Sequence, residues 1–384
     1  MATAIDTTTL QPIMLVGNPI RFKVTTDNHV MPFYLLIAKL TITIGAVTKY
    51  ATMSVEPDSS GVAWFDAAPF LYDYVVDSMK SHTTDLSTST PLVGDPMVGY
   101  SISITEGYGI PYTEYATVLA TSSTFYAIYG GLPDYYCQQL ELRGSNFYDD
   151  IIQQNHFLTN QPTEKNVYEN QPEQLRFFHT DELVAVCKVK YVDSAGNETT
   201  DTLCRLILNP NHIHTLLATR EFCCTSTSLF YEVWVEDAYG NVIVQPQRYI
   251  CVSNIPTNIR HVVFRNSLGS YDTATLTGRM VNELEFSAGS YLNNVVTNLR
   301  NAIVPEQARG FANRYLSGSI GWVTDDELEW ITDMLHSDDR LLLMEDQSYE
   351  PIIISPDRYM VQSDTPGPKS LTIEAIVGAG NIFF

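Results

Sequence analysis

The sequence predicts a mainly β protein, with tandem immunoglobulin-like β-sandwich modules followed by a C-terminal α+β module. Three observations lead to this fold class. Short apolar stretches alternate with polar residues, as half-buried strands require. Turn sequences rich in Pro, Asn, Asp and Gly separate these stretches at short intervals. Near the carboxyl end the apolar residues recur instead at the spacing of an amphipathic helix.

Residues 10–145 are assigned to an N-terminal β-sandwich module. Ile20, Phe22 and Val24 alternate with two basic residues, which is the pattern of a strand with one buried face. Residues 57–61 (PDSSG) form a turn signal, because Pro fixes its own φ and Gly tolerates a positive φ. Strands separated by such turns are typical of a sandwich.

Residues 146–170 are rich in Asn, Gln, Asp and Tyr, and we expect them to form a linker or an extended wrap. An immunoglobulin-like or fibronectin-like β-sandwich is then predicted over residues 171–256. It contains two matching turn sequences, DSAGN at 193–197 and DAYGN at 237–241. In both, the Gly-Asn pair provides the left-handed backbone that a tight hairpin needs.

Residues 257–384 are predicted to form the C-terminal α+β module. It opens with residues 261–278, which have the pattern of strand, turn and strand and which we expect to be scaffold at a module or subunit junction. Thr324 and Glu327 have the spacing of a capping box, which predicts a helix near 325–336. The apolar residues that follow recur at helical spacing: Leu328, Ile331 and Leu335.

The charge balance argues against two classes of partner. The chain has 22 basic and 44 acidic residues, a net charge of −22 at pH 7. Nucleic acids and anionic membranes repel so acidic a protein, so neither is expected as a partner. The sequence also has no apolar run long enough for a transmembrane helix, and we expect no membrane insertion.

The six cysteines are expected to be mostly buried and reduced, because they lie in apolar, strand-like surroundings and form no C-x-x-C pair. This indicates synthesis in a reducing cytosol. The amino-terminal residues have no basic segment followed by an apolar core, so we expect no signal peptide.

No pattern indicates catalysis, a cofactor or a metal. On a strand His212 and His214 would share one face, but the spacings of a zinc site are absent, and we expect a polar turn after residues 209–211 (NPN) instead. The turns at 193–197 and 237–241 lack the ligand order of a calcium loop. Cys137, with a distant histidine, has no local signature of a nucleophile. We therefore expect a protein that is not an enzyme and has no cofactor, catalytic residue or metal ligand.

Tyrosines are concentrated in residues 81–142, which contain eight of them and no Lys or Arg. Tyrosine rings stack on ligands and their hydroxyls form hydrogen bonds, although tyrosine is also a good strand residue. The two phenylalanines at the carboxyl end either fit a groove on a neighbour or tuck into their own module. The candidate interaction residues are therefore Tyr108, Tyr112, Tyr115, Tyr129, Phe383 and Phe384.

Several stretches carry a family resemblance: GNPIRFKV (17–24), VEPD (55–58), FLT (157–159), NQPE (170–173), FRNSLG (264–269) with YDT (271–273), and residues 328–381. In these stretches the chain resembles virion proteins of tailed phages and prophages of Bacteroidota hosts. The likeness is diffuse and spans most of the chain. It implies a structural tail or tail-tip protein that assembles into a ring or fibre with copies of itself and other virion proteins. It also implies synthesis in the host bacterial cytoplasm and final location in the virion.

Two other functions stay open at this point. One is a host-surface or carbohydrate-binding adhesin that uses the tyrosine-rich segment 100–136, with a host surface glycan as partner. The other is a polysaccharide-cleaving tail enzyme, because paired carboxylates meet in space and not in sequence.

Overall fold

A computed structural model describes residues 3–79, 94–109, 113–210, 212–253, 259–278, 280–287, 290–297, 300–307, 311–345, 348–354 and 369–377. Within these ranges the protein is mainly β and forms several sheets, as the sequence predicts. The chain divides into two compact units. The first contains Met1–Cys251 and Asn266–Tyr271, and the second contains Val252–Arg265 and Asp272–Phe384.

The amino-terminal part of the first unit contains two sheets and two helices. Its elements are β1 (Ala4–Asp6), β2 (Ile13–Leu15), β3 (Arg21–Thr25), β4 (Leu35–Ile44), β5 (Val47–Val55), β6 (Val62–Asp66), α1 (Ala68–Met79), β7 (Gly94–Pro96), β8 (Val98–Tyr108), β9 (Thr113–Thr121), β10 (Phe125–Ile128) and α2 (Asp134–Leu142). One sheet has the order β1-β3-β6, and the other β2-β10-β8-β4-β5 with β9 beside β8.

Strand β3 shows why these residues form strands. Phe22 and Val24 are fully buried, whereas Arg21 is exposed and Lys23 is partly exposed, so the predicted alternation is confirmed. Helix α1 begins where the Asp66 carboxylate accepts a hydrogen bond from the Ala68 amide, which satisfies one of the free donors of the first turn. Leu71 on this helix is fully buried.

The rest of the first unit contains two further sheets. Its elements are β11 (Glu164–Val167), β12 (Gln174–Phe178), β13 (Leu183–Asp193), β14 (Glu198–Leu208), β15 (His212–Leu217), α3 (Arg220–Cys223), β16 (Ser228–Asp237) and β17 (Val242–Cys251). The five-stranded sheet has the order β11-β17-β16-β13-β14, and the three-stranded sheet β12-β15-β7. Their shared core includes Phe177, Tyr231 and Val233, all fully buried.

The segment expected as a linker or wrap contributes to this packing. Residues 146–170 contain a π-helix at Tyr148–Ile152 and strand β11, which pairs in parallel with β17. Phe157 and Val167 from the same segment are buried in the core. The strand was not predicted, because parallel pairing depends on a partner strand distant in sequence.

Four turns in the first unit share one hydrogen-bond pattern. They cover residues 58–62, 193–197, 237–241 and 266–270. In each, the side-chain oxygen of the first residue, Asp or Asn, accepts from the amides of the third and fifth residues. The fourth residue is always Gly, with φ between 78° and 88°. This left-handed position is one that Gly occupies without steric cost, so the turn sequence itself specifies the conformation.

The second unit contains a seven-stranded and a two-stranded sheet. Its elements are β18 (Arg260–Arg265), β19 (Tyr271–Leu276), β20 (Met280–Ser287), β21 (Ser290–Thr297), β22 (Arg300–Gln307), β23 (Phe311–Val323), α4 (Asp325–His336), β24 (Arg340–Leu343), β25 (Tyr349–Ile354) and β26 (Lys369–Val377). The sheet orders are β19-β18-β24-β25-β26-β23-β20 and β21-β22. Strands β20 to β23 cover residues for which the sequence pattern predicted no element. The α+β character of residues 257–384 stays a prediction.

Helix α4 confirms the predicted helix and its capping box. The Thr324 hydroxyl accepts from the Glu327 amide at 3.2 Å, and the Thr324 amide donates to the Glu327 carboxylate at 2.8 Å. Trp330 lies on the buried side of α4, where its indole donates to Asp272 at 2.9 Å. Among the described residues, no helix is long and apolar enough to cross a membrane.

Candidate functional site

An exposed apolar loop lies between β3 and β4. After a single 3-10 turn at Asn28–Val30, the chain exposes 78% of Val30, 44% of Met31 and 68% of Phe33. Single exposed apolar residues are ordinary on protein surfaces, but three within four positions form a contiguous patch. Together with Tyr34, Tyr108 and Tyr115, described below, we call these residues the aromatic tip.

The loop is anchored from beneath by a buried carboxylate. Glu106 on β8 accepts hydrogen bonds from the Tyr34 hydroxyl at 2.7 Å and from the Asn28 side-chain amide at 3.1 Å. The Pro32 carbonyl accepts from the Gly109 amide at 2.9 Å, so the loop is also joined to the end of β8. These contacts fix both ends of the loop, and Val30, Met31 and Phe33 between them are exposed.

Phe33 has a backbone conformation that is unusual for its residue type. Its φ is +55°, in the left-handed region. For a residue with a Cβ this conformation costs about 1–2 kcal/mol, and such strain is concentrated at functional positions. Its side chain is mostly exposed, so burial of the ring does not offset this cost. The conformation instead presents a phenyl ring to solvent.

A series of three tyrosine rings begins at Tyr34, at the base of the loop. Tyr34 stacks against Tyr108 with centroids 5.9 Å apart, and Tyr108 stacks against Tyr115 at 4.6 Å. Exposure increases along this series, from 3% for Tyr34 to 40% for Tyr115. Desolvation, followed by the neighbouring Tyr115, raises the pKa of the Tyr108 hydroxyl. The Tyr108 phenol is therefore a neutral hydrogen-bonding group at neutral pH.

The candidate residues from the sequence fall in different places. Tyr108 and Tyr115 belong to the aromatic tip, whereas Tyr129 lies beside Tyr72, with ring centroids 6.2 Å apart. The remaining candidates lie outside the described residues: Tyr112, Phe383 and Phe384.

Sequence reasoning missed the loop residues of the tip. Phe33 opens a long apolar stretch in the sequence, but β4 begins only at Leu35. Pro32 was the available signal, because a proline between apolar residues disfavours a continuous strand. Nothing in the sequence pattern indicated that Phe33 would be exposed.

His212 and His214 lie on strand β15 and not in the expected polar turn. His214 is buried there, its ring lies 5.5 Å from the Phe177 ring, and burial lowers its pKa to about 4. It is therefore neutral at neutral pH. Among the described residues, no three His, Cys, Asp or Glu side chains are grouped to hold a metal ion. In the turns at 193–197 and 237–241, the carboxylates of Asp193 and Asp237 accept hydrogen bonds from amides of their own turn.

A cleft of about 210 Å³ lies beside β2 and α2. The described residues that line it include Asn18, Cys137 and Glu141 but no histidine. Burial, reinforced by nearby carboxylates, raises the pKa of the Cys137 thiol. Since the thiolate is the reactive form, this environment does not activate Cys137 as a nucleophile.

Comparison with known proteins identifies no family. No protein-family model matches the chain, and no curated protein matches it. One similar solved structure is the crystal structure of the FN1-FN3 domains of chicken CNTN1. It is 9% identical, the match covers 83% of this chain and 91% of that chain, and the TM-score is 0.19. A TM-score this low carries no argument about function.

Proposed function

We propose that this chain is a non-enzymatic structural protein of a tailed-phage virion, a tail or tail-tip component that assembles with copies of itself into a ring or fibre. The sequence resemblance supports the viral assignment. Tandem sandwich modules with a C-terminal α+β module complete the proposed architecture. The observation that carries the assembly role is the aromatic tip, in which a strained Phe33 exposes its ring.

Burial of the aromatic tip against a neighbouring subunit would offset the free-energy cost of the backbone strain at Phe33. The exposed part of Phe33 and its apolar neighbours would leave water, a contribution of about 25 cal/mol per Å² buried. Aromatic residues at the centre of an interface often dominate its energetics. The rigid anchor of the loop on Glu106 limits the entropy lost on binding, because the rings are already held in place.

Phe33→Gly tests this proposal. Gly adopts a φ of +55° without strain, and Phe33 is mostly exposed, so stability should stay within about 1 kcal/mol of wild type. Self-association, measured by sedimentation velocity across a concentration series, should weaken by roughly tenfold or more. Tyr239→Ser is the matched control, because Tyr239 is 93% exposed and lies in the 237–241 turn, away from the tip.

Unchanged association of Phe33→Gly would overturn the assembly role of the tip.

The viral assignment has its own test, which is the gene neighbourhood: portal, tube or tape-measure genes beside the coding gene are expected. A glycan-binding adhesin is the competing function, favoured by the Tyr108–Tyr115 stack. Binding on a glycan array that is lost in Tyr115→Ala, in a chain that stays monomeric, would support the adhesin instead.

A further inference from the structure

Two cysteines distant in sequence lie side by side at one end of the five-stranded sheet. The Sγ atoms of Cys224 and Cys251 are 3.7 Å apart, across 27 residues of sequence. Cys224 follows the last residue of α3, and Cys251 is the last residue of β17. All six cysteines of the chain are thiols in this structure.

We propose that Cys224 and Cys251 are a modification site, a thiol pair that closes to a disulfide when the protein meets a low-molecular-weight disulfide oxidant. The two sulfurs must approach from 3.7 Å to the bonding distance of about 2.0 Å. Both residues lie at ends of elements and not in the middle of a strand ladder. Rotation about their side-chain torsions can therefore shorten the distance without breaking sheet pairing.

The surroundings of the pair assign different roles to the two thiols. The hydrogen bond between the two sulfurs, a hydrogen bond with Ser228 and the Arg220 charge lower the pKa of Cys224 despite partial burial and the nearby Glu221. The same Sγ–Sγ contact and burial raise the pKa of Cys251. Cys224 is also the more exposed of the two. Cys224 is thus the attacking thiol and Cys251 the resolving thiol.

The reaction balances with glutathione disulfide as the oxidant. The Cys224 thiolate attacks one sulfur of that disulfide, which forms a mixed disulfide on Cys224 and releases one glutathione thiolate. Cys251 then loses its proton and attacks the Cys224 sulfur, which forms the Cys224–Cys251 bond and releases the second glutathione. The protein loses two electrons, and the glutathione disulfide gains them as two thiols.

The neighbouring thiols are less suited to this reaction. Cys223 is 2% exposed, and burial raises its pKa well above the ordinary value, so it does not compete for the oxidant. Cys187 and Cys204 are directly opposite each other on β13 and β14, and Cys204 resembles Cys224 in its partial exposure and in a pKa lowered by its partner thiol. Its partner Cys187, however, is fully buried on a strand that is paired on both sides, which hinders the second attack there. Cys251 lies at the end of β17 and is less constrained.

Peptide mapping after oxidation tests the site. The full chain is incubated with glutathione disulfide at about pH 8, near the ordinary pKa of a thiol, and digested without reduction. We expect a cross-linked pair of peptides that contain Cys224 and Cys251. In Cys251→Ser the reaction should stop at a stable glutathione adduct on Cys224. Cys204→Ser is the matched control and should still form the cross-link.

A second readout keeps the test independent of peptide recovery. A disulfide that closes a 27-residue separation should raise Tm by roughly 5–10 °C on oxidation of the wild type. Cys251→Ser should show no such rise. A wild-type chain that leaves Cys224 and Cys251 unlinked, or that retains glutathione on Cys224, would overturn the proposal. This reaction does not depend on the proposed virion role, because it requires only the Cys224–Cys251 pair and its surroundings.

Discussion

The identity of one turn residue follows from its burial. Asp193 and Asp237 occupy the first position of exposed turns, and side-chain hydrogen bonds from Asn197 and Asn241, with turn amides, lower the pKa of both carboxyls. The equivalent residue in the 266–270 turn is Asn266, which is 1% exposed. A buried carboxylate would be costly, whereas the neutral amide keeps the same acceptor and also donates to the Leu158 carbonyl at 3.0 Å.

The first prediction compares two exchanges at this position of the turn. Asn266→Asp should destabilise the protein by about 3 kcal/mol, because it buries a charge and replaces a donor to the Leu158 carbonyl with an acceptor. Asp193→Asn keeps the acceptor in an exposed turn and should change stability little. Urea unfolding followed by circular dichroism measures both. Equal effects of the two substitutions would contradict the burial argument.

At the scale of elements, the turns show what the local sequence specifies and what it leaves open. The Asp/Asn-x-x-Gly spacing determines the backbone of all four turns through hydrogen bonds within five residues. It does not determine their surroundings. A Cβ at Gly240 would meet nothing within 4 Å, whereas one at Gly269 would lie 2.1 Å from the Tyr129 carbonyl oxygen.

Gly269→Ala and Gly240→Ala separate the cost of backbone strain in the turn from the cost of a steric contact with its surroundings. Both glycines have a φ above 80°, so both substitutions should cost about 1 kcal/mol from backbone strain. Gly269→Ala adds the overlap with Tyr129, and we expect it to cost about 2 kcal/mol more. Unfolding midpoints in guanidinium chloride measure the difference. A similar loss for both variants would mean that the contact with Tyr129 relaxes freely.

At the scale of the whole molecule, charge opposes the association that the aromatic tip would favour. A net charge of −22 makes copies of the chain repel one another at neutral pH. An apolar contact between acidic subunits is therefore effective only where salt screens this repulsion. The balance between the two effects can be measured directly.

Self-association should strengthen as salt is added. Between about 10 mM and 150 mM salt the screening length falls from about 30 Å to about 8 Å, which weakens repulsion and leaves apolar contacts intact. Sedimentation velocity at the two salt concentrations measures the change, and Phe33→Gly should associate more weakly than wild type at both. Association that weakens with salt would indicate ion pairs at the interface and no dominant role for the tip.

The sequence by itself determined the features that short stretches encode. The alternation in β3, the capping box of α4 and the turns at 193–197 and 237–241 were all predictable, because their hydrogen bonds or faces involve residues a few positions apart. The candidate site was only partly predictable: Tyr108 and Tyr115 were identified, but Tyr34 and the loop residues Val30, Met31 and Phe33 were not.

Tertiary structure decided the features that depend on distant residues. The exposure of Phe33 requires Glu106 to hold its loop, and the parallel pairing of β11 requires β17. The contact between Cys224 and Cys251, which are 27 residues apart, likewise depends on the folded chain. Local sequence carries no signal for such contacts, because their free energy arises only when the folded chain brings the two partners together.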